Sequence, residues 1–309
     1  MMSLKKNIPP IIERFLAALA LLGLILAAYL LWARPYQMHW GATTEEISRS
    51  MPGDELNRSP TFLATRAITI SGTPRQIWPW LVQMGYGRAG YYGYDILEDL
   101  GSIRGIRSAD RILPEFQSFK VGDAVPISPA ATDIFYAIMP EEYLIWGGAT
   151  PEFPGGFTWA LYPLDANHTR LVSRIGWSHH WKRPVILALE TLTEFSDQLA
   201  IRKILEGVKG RVEGHNESFA STTSEFAIYL STLLLFFPVA PLLLLVRPLT
   251  WPRWLACLGA GIGWLITWYA PIPPSAIVTL GLLVLAAFYL AFFRSAQHVT
   301  AFPQTSGDR

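Results

Sequence analysis

Four long runs without a charged residue constrain this chain more than any other feature. A helix of about 20 apolar residues crosses the ~30 Å apolar core of a bilayer, and these runs contain 17 to 21 residues each. They occupy residues 15–33, 226–246, 254–270 and 276–293. We therefore predict four transmembrane helices, one before and three after a large polar region.

Composition agrees with a membrane protein, because 51% of the residues are hydrophobic and only 16% are charged, which is more apolar than a typical soluble domain. A cleavable signal peptide is the alternative for the first run. The bulky residues at 29–32 stand where a cleavage site needs small side chains, so an uncleaved anchor is favoured. None of the four runs contains an ionisable Asp, Glu, Lys, Arg or His. Because ion pathways usually need such groups in the bilayer, a transporter or channel is not favoured.

Basic residues in the short connections predict the orientation of these helices. They precede the first run, separate the second from the third, and follow the fourth: Lys5, Lys6, Arg14, Arg247, Arg253 and Arg294. With four spans these positions share one side, so both termini are predicted to be cytoplasmic and the middle region to lie on the outer face of the cell membrane. Arg34 and the basic residues between 202 and 211 oppose this assignment, so the reverse orientation stays open.

The domain organisation follows from these runs. We predict an N-terminal anchor at 1–34, a linker or strap at 35–60 and a folded domain at 61–215. A second linker at 216–225, three transmembrane helices at 226–294 and a polar tail at 295–309 follow.

Within the folded domain, the pattern predicts an antiparallel sheet followed by a long helix, which is an α+β fold. A capping box formed by Thr73 and Gln76 starts a short helix at 74–84. The amphipathic pattern at 184–213 predicts the long helix, which could lie across one face of the sheet. Strands are predicted at 65–71, 117–127, 135–139 and 143–146, and a hairpin at 156–164 and 169–177.

Residues 85–101 are the candidate functional stretch, with five glycines and four tyrosines around one arginine. Three interpretations stay open. Arg88 could pair with Asp95 and lock the loop, or these residues with Tyr91 and Tyr94 could orient a polar headgroup above an apolar cavity. As a catalytic site they could polarise a carbonyl group. Structure and binding are favoured over catalysis, because no nucleophile elbow, phosphate loop or paired-carboxylate motif accompanies them. The cavity lining is predicted to be Trp80, Trp146 and Trp159.

The remaining polar residues favour structural roles. His179 and His180 have no acidic or cysteine partner at ligand spacing, so no metal site and no cofactor are predicted. Arg174 is expected to face outward into solvent, because alternation along the strand places it on the face opposite Trp177. Asp197 is also expected to be exposed. The net charge of +1 does not favour nucleic acid as a partner.

Several segments together resemble the SRPBCC (START/polyketide cyclase/Bet v 1-like) superfamily, and within it bacterial, membrane-anchored members without an established activity. The resemblance covers roughly residues 40–213. Its main segments are residues 65–70, 77–85, 88–92 and 94–95, with further matches at 40–43, 52–56, 121–123, 157–159 and 169–171.

The resemblance implies a helix-grip fold, in which a long C-terminal helix holds an antiparallel sheet around an apolar cavity. It implies a membrane-anchored domain that binds an apolar small molecule such as a lipid, an isoprenoid or a polyketide-like compound. The partners would then be the lipid bilayer and that ligand. Two alternatives stay open: a membrane-bound cyclase or dehydratase, and a non-catalytic interaction module whose cavity is filled by its own aromatic side chains. An enzyme is not favoured, since the resemblance carries over no catalytic residues.

Overall fold

The computed structural model of this chain describes residues 9–57, 59–98, 107–129, 131–148, 155–178, 185–234 and 250–259, together with 245, 282, 285, 286, 289 and 290. The chain divides into two compact units. One unit comprises Met1–Arg34 and Ala227–Arg309, and the other comprises Pro35–Phe226.

The first predicted transmembrane run lies in a continuous helix from Pro10 to Met38. This helix consists of α1 (Pro10–Ala28), a π-helical turn (Tyr29–Ala33) and α2 (Arg34–Met38). By length and composition it could cross a membrane, and within the described part of the chain it is the one helix that passes this test. The structure thus shows one candidate span where we predicted four. The runs at 226–246, 254–270 and 276–293 lie mostly outside the described residues.

The second unit is built on a six-stranded antiparallel sheet with the strand order β1-β6-β5-β4-β3-β2. With the helices around it, this arrangement matches a helix-grip-like α+β fold. The strands are β1 (Phe62–Ser71), β2 (Ala124–Ser128), β3 (Ala131–Met139), β4 (Tyr143–Gly147), β5 (Gly155–Pro163) and β6 (His168–Trp177). The other described helices are α3 (Thr44–Ser48), α4 (Pro74–Val82), α5 (Asp95–Glu98), α6 (Val185–Glu213) and α7 (Phe219–Leu234).

Local sequence signals account for several of these elements. In α4, Gln76 Oε1 accepts the Thr73 backbone N–H at 2.8 Å, as the capping box predicts. The β5–β6 hairpin closes because Asp165 Oδ1 accepts the backbone N–H groups of Asn167 and His168. Such side-chain contacts stabilise a tight turn in place of a further ladder pair.

The predicted strand at 117–127 is wrong in its first half, because pairing begins only at Ala124. Residues Pro114–Phe116 form a 3₁₀ turn. The Lys120 N–H then donates to Asp123 Oδ2 at 2.9 Å, and Gly122 adopts a φ of 92°. A carboxylate-stabilised turn with a left-handed glycine therefore replaces the expected extended backbone.

The sheet buries both of its faces. On the helix face, side chains of β3, β4, β5 and β6 pack with α4 and α6 in the main core. On the opposite face, which we call the strap face, a smaller cluster joins Met51 to Ala67, Ala160 and Val172. The chain segment at 42–57, which we call the strap, thus covers the sheet from the side opposite α6.

Two arginines of β6 fasten the strap. Arg174 Nη1 contacts Asp54 Oδ2 at 2.9 Å and donates to the carbonyl of Arg49, while Nη2 donates to the carbonyls of Glu46 and Ile47. Arg170 Nε pairs with Glu46 Oε1 at 2.7 Å. Carbonyl and carboxylate oxygens of the strap thereby satisfy guanidinium groups that project from an otherwise apolar strand.

Two sequence expectations are corrected here. Arg174 does lie on the face opposite Trp177, but the strap buries it and leaves only 3% exposed, so it is not solvated. Asp197 in α6 is not exposed either: its side chain is 9% exposed and lies 2.7 Å from Arg66 Nη1. Both errors arise because the burying partners are more than 100 residues away in sequence.

Candidate functional site

The glycine- and tyrosine-rich stretch, described up to residue 98, borders strand β2. The Tyr86 N–H donates to the Pro126 carbonyl at 2.8 Å. The Tyr91 hydroxyl lies 3.0 Å from the same carbonyl and 3.1 Å from that of Ile127. These contacts satisfy outward-facing carbonyls of an edge strand, which would otherwise be open to pairing with another chain. Tyr91 therefore has a structural contact here, and its ring also meets Trp146 at 6.3 Å between centroids.

Arg88 is held by backbone carbonyls. Its Nη2 donates to Val82 at 2.9 Å and its Nε to Met84 at 3.2 Å, and its guanidinium lies 4.6 Å from the Phe116 ring centroid. Burial lowers the pKa of Arg88, although nearby Tyr92 and Asp123 oppose that change. The described contacts of Arg88 and Asp95 go to different partners, so the two residues do not form the ion pair that the loop-locking interpretation requires.

Tyr94 belongs to a separate ionic cluster. Its hydroxyl donates to Glu225 Oε1 at 2.8 Å, and Glu225 Oε2 lies 2.7 Å from Lys203 Nζ. Lys203 also contacts Glu217 at 2.8 Å. Burial alone would lower the pKa of Lys203, but the charges and hydrogen bonds of Glu225 and Glu217 outweigh it and raise that pKa. This cluster joins α6 to the first turns of α7.

Asp95 lies at a third place, beside a strained tyrosine. The Ser108 hydroxyl donates to Asp95 Oδ1 at 2.6 Å and accepts the Tyr92 N–H at 2.8 Å. Tyr92 adopts a φ of 64°, which is unusual for a residue with a side chain. Helix α6 approaches so closely that a Cβ at Gly207 would lie 2.0 Å from the Tyr92 carbonyl oxygen. Only glycine fits there, and the contact fixes this part of the stretch against α6.

A cavity of about 190 Å³ opens beside Asp95 and Tyr92. Its walls come from the glycine–tyrosine stretch, the segment at 107–110, the C-terminal half of α6 and the start of α7. The lining residues are mixed in charge, and most of them have polar side chains: Tyr92, Gly93, Asp95, Arg107, Ser108, Asp110, Lys203, Glu206, Gly207, Gly210, Arg211, His215, Asn216, Glu217, Phe219 and Thr222. Of the sequence-predicted site residues, Asp95 alone lines it.

The three predicted tryptophans lie in the main core rather than at this cavity. Trp146 and Trp159 are each 1% exposed, with ring centroids 5.7 Å apart. Trp80 in α4 is 9% exposed and meets the Tyr92 ring edge-on at 5.8 Å. The structure therefore brings Trp146 and Trp159 together on the helix face and places Arg88, Tyr94 and Asp95 in three different surroundings.

A polar row crosses the helix face, and it was not predicted from the sequence. Ser173 of β6 is paired in register with Arg66 of β1 on one side and with Trp159 of β5 on the other. All three side chains are 1% exposed. Directly opposed residues on neighbouring strands have Cβ atoms about 5 Å apart. We call these three residues the polar row.

Each member of the polar row carries a buried polar atom without a partner among the described residues. These atoms are Arg66 Nη2, Ser173 Oγ and Trp159 Nε1; Trp146 Nε1 on β4 and Gln198 Oε1 on α6 share this property. The other Arg66 nitrogens are satisfied, since Nε donates to the Gln37 carbonyl at 2.8 Å and Nη1 to Asp197 at 2.7 Å. Most buried polar groups in proteins are paired, so this concentration within one core requires a reason.

A signal for the row was present in the sequence. Arg66 and Ser173 interrupt the apolar alternation of their strands on the side that carries Ile68 and Trp177. Their adjacency was not visible, because it depends on the register between β1 and β6. For metal binding, the described residues offer no group of three or more His, Cys, Asp or Glu side chains placed to hold an ion; His179 and His180 lie outside the described residues.

No protein-family model matches the sequence, and no curated protein matches it. Solved structures do show similarity to part of the chain. The Zhui aromatase/cyclase from Streptomyces sp. R1128 is 16% identical, with 51% of this chain and 96% of that chain covered and a TM-score of 0.32. A Polyketide_cyc-like protein from Corynebacterium glutamicum is 14% identical, with coverages of 50% and 96% and a TM-score of 0.28.

A protein from Mesorhizobium loti is 16% identical, with 50% of this chain and 100% of that chain covered and a TM-score of 0.31. Similarities of this size establish nothing about activity.

Proposed function

We propose that the second unit is a helix-grip domain that binds an apolar small molecule, of lipid, isoprenoid or polyketide type, through a hydrogen-bond acceptor on that molecule. The binding site lies between the helix face of the sheet and α6. The polar row provides donors for the acceptor, and the aromatic side chains around it contact the apolar body.

The single observation that supports this proposal is the set of unpartnered donors in an apolar core. A buried donor without an acceptor costs about 1–3 kcal/mol in the ligand-free protein. A carbonyl, carboxylate or ether oxygen that accepts from Trp159 Nε1 or Arg66 Nη2 would recover that free energy on binding. Small-molecule sites commonly combine an apolar lining with a few such polar groups.

Mass spectrometry of the full chain, purified in mild detergent and then extracted with organic solvent, tests the proposal. We expect a co-purifying apolar molecule that carries at least one oxygen acceptor. A fluorescent fatty acid, dansyl-undecanoic acid, serves as the probe in titrations. Absence of both a co-purifying molecule and probe binding would overturn the proposal.

Matched variants locate the site. Trp159→Phe removes the indole N–H and retains an aromatic ring, so probe affinity should fall by roughly threefold to tenfold, the size of one hydrogen bond. Trp78→Phe is the control, because Trp78 is a partly buried tryptophan that packs against the same core from α4. Equal effects of the two variants would place the probe elsewhere.

The second candidate function is a non-catalytic interaction module with a filled core. The observation that favours it is the close ring packing on the helix face: Trp146 lies 5.7 Å from Trp159 and 6.4 Å from Phe157 between centroids. A ligand would have to move these rings. If this second function is correct, the wild-type protein does not bind the probe, and Trp159→Phe changes only the stability of the protein.

We also propose that the chain is a multi-pass membrane protein with both termini in the cytoplasm and the second unit on the outer face. The helix Pro10–Met38 and the uncharged runs near the C-terminus support the anchoring. The basic residues of the short connections support the orientation.

A further inference from the structure

We propose that the 190 Å³ cavity beside Asp95 is a second binding site, specific for a small zwitterion that carries an ammonium group and an anionic group. This inference goes beyond the apolar site proposed above and rests on different residues.

The cavity has a negative group that is fixed in place. Asp95 is 7% exposed, and Ser108 donates to its Oδ1 at 2.6 Å. No described residue donates to Oδ2. Because Ser108 is itself tied to the Tyr92 backbone, and Gly207 brings α6 against Tyr92, the carboxylate is positioned before any ligand binds. A positioned carboxylate with a free oxygen suits an ammonium group.

The cavity also has a cation available at its rim. Arg107 is exposed, its guanidinium lies 4.3 Å from the Phe219 ring centroid, and no described residue accepts a hydrogen bond from it. The other cations have partners already: Lys203 contacts Glu217 and Glu225, and Arg211 donates to the carbonyls of Ala109 and Gly207. Arg107 is thus the guanidinium that can take the anionic group of a ligand.

The balance of charge favours a zwitterion over a simple ion. Four acids and three bases line the cavity. Lys203 is paired with Glu217, and Glu206 is paired with Arg202 outside the lining, which leaves Asp95, Asp110 and Arg107 without an ion pair among the described residues. A lone cation would leave Arg107 without an anion, and a lone anion would leave Asp95 without a cation. A molecule with both groups contacts both residues, and a cavity of 190 Å³ is smaller than the ~300 Å³ at which drug-sized pockets begin, so it suits a ligand as small as an amino acid or a small headgroup.

Isothermal titration calorimetry on the full chain in detergent tests the inference with four soluble probes. Serine represents a free amino acid, and glycerophosphoethanolamine represents the headgroup of a membrane lipid. Ethanolamine carries only the cation and acetate only the anion. We expect at least one zwitterion to bind about tenfold more tightly than ethanolamine and acetate, since each charged contact contributes about a factor of ten or more.

The probe that binds identifies the source of the ligand, because serine points to a soluble metabolite and glycerophosphoethanolamine to a lipid surface. Asp95→Asn and Arg107→Gln should each weaken binding of that probe about tenfold. Arg75→Gln, at an exposed arginine outside the cavity lining, should leave it unchanged.

The inference is overturned if neither zwitterion binds, if ethanolamine or acetate binds as tightly as the zwitterion, or if both variants bind like the wild type. Dansyl-undecanoic acid titrations of the same variants separate this inference from the apolar site, because Asp95→Asn and Arg107→Gln should retain probe binding there.

Discussion

At the scale of single residues, the most informative groups are the polar atoms buried without partners. Ser173 shows how such an atom can distinguish a role in ligand binding from a role in the structure. Its hydroxyl is buried in the core and has no hydrogen-bond partner among the described residues. A group that is costly in the ligand-free protein is expected to persist where it contributes to function.

Ser173→Ala should therefore stabilise the ligand-free protein by about 1 kcal/mol, since it removes an unsatisfied buried hydroxyl without creating a large cavity. The same variant should weaken binding of dansyl-undecanoic acid. Urea unfolding of the full chain in detergent measures the first effect, and probe titration measures the second. If Ser173→Ala is destabilising and leaves probe binding unchanged, the hydroxyl has a purely structural role.

Arg174 represents the opposite case, a buried charge whose partners are all present. Arg174→Ala should destabilise the second unit by about 3 kcal/mol, because Asp54 and several strap carbonyls would lose their donor inside a buried contact. Urea unfolding measures the loss, with Arg75→Ala as the exposed control. A loss similar to that of the control would show that solvent can replace Arg174 at the strap.

At the scale of elements, the strap is attached to the sheet in part through the carboxyl group of Glu46, which can take up a proton. Burial would raise the pKa of Glu46, but the hydrogen bond from Arg170, the Thr43 N–H and the charges of Arg170 and Arg49 outweigh burial and lower that pKa. A carboxyl group whose pKa is lower in the folded state stabilises the fold above its unfolded pKa. That contribution is lost as the pH falls through the folded value.

We therefore expect the strap to loosen from the sheet on acidification, as the pH falls below the ordinary pKa of a glutamate, about 4.3. Hydrogen exchange of the amides at 43–57, followed by mass spectrometry, should show falling protection in this range while the β5–β6 hairpin stays protected. Glu46→Gln should lose this pH dependence and should already be less protected at pH 7. It keeps the capping contact, in which the Thr43 N–H donates to the side chain of residue 46. A wild-type strap that keeps its protection on acidification until the β5–β6 hairpin also loses protection would contradict the assignment.

The elements also show what the sequence can predict and what it cannot. Alternation predicted the β5–β6 hairpin nearly to its ends, and an amphipathic pattern at 184–213 predicted the helix that is described as α6 (Val185–Glu213). These signals are local, because they depend on which side chains share one face of one element. Strand β1 begins three residues earlier than predicted, at Phe62, where its ring stacks on Trp177 at 4.0 Å.

The candidate site was harder to predict from the sequence, because its residues are brought together by strand register and long-range contacts. The sequence placed Arg66 on the same side of its strand as Ile68, but nothing local indicated that Ser173 and Trp159 would continue the row. Likewise, the partner of Asp95 is Ser108, which follows a segment with no strong pattern. Side chains that converge from separate elements are fixed by tertiary packing, which a single sequence does not encode in readable form.

At the scale of the whole molecule, the proposed membrane anchoring gives the two compact units different surroundings. The unit formed by Met1–Arg34 and Ala227–Arg309 contains most of the candidate span Pro10–Met38 and nearly all of the uncharged runs. The unit formed by Pro35–Phe226 contains both proposed binding sites. Because a domain on the outer face meets different ligands from a domain in the cytoplasm, the side on which the second unit lies decides which molecules can reach either site.

The proposed orientation can be tested with one engineered cysteine. The natural sequence has a single cysteine, Cys257, so Cys257→Ala gives a background without thiols. Ala166→Cys then places one thiol at an exposed position of the β5–β6 turn. If the second unit lies on the outer face, a membrane-impermeant maleimide should label this variant in intact cells as fully as in lysed cells.

A fluorescent reporter fused after Arg309 provides the matching test for the C-terminus, which the basic residues place in the cytoplasm. Labelling of Ala166→Cys only after lysis would reverse the orientation and leave the anchoring intact. Recovery of the protein in the soluble fraction without detergent would instead contradict the anchoring itself, since a single helix such as Pro10–Met38 already suffices to retain a chain in the bilayer.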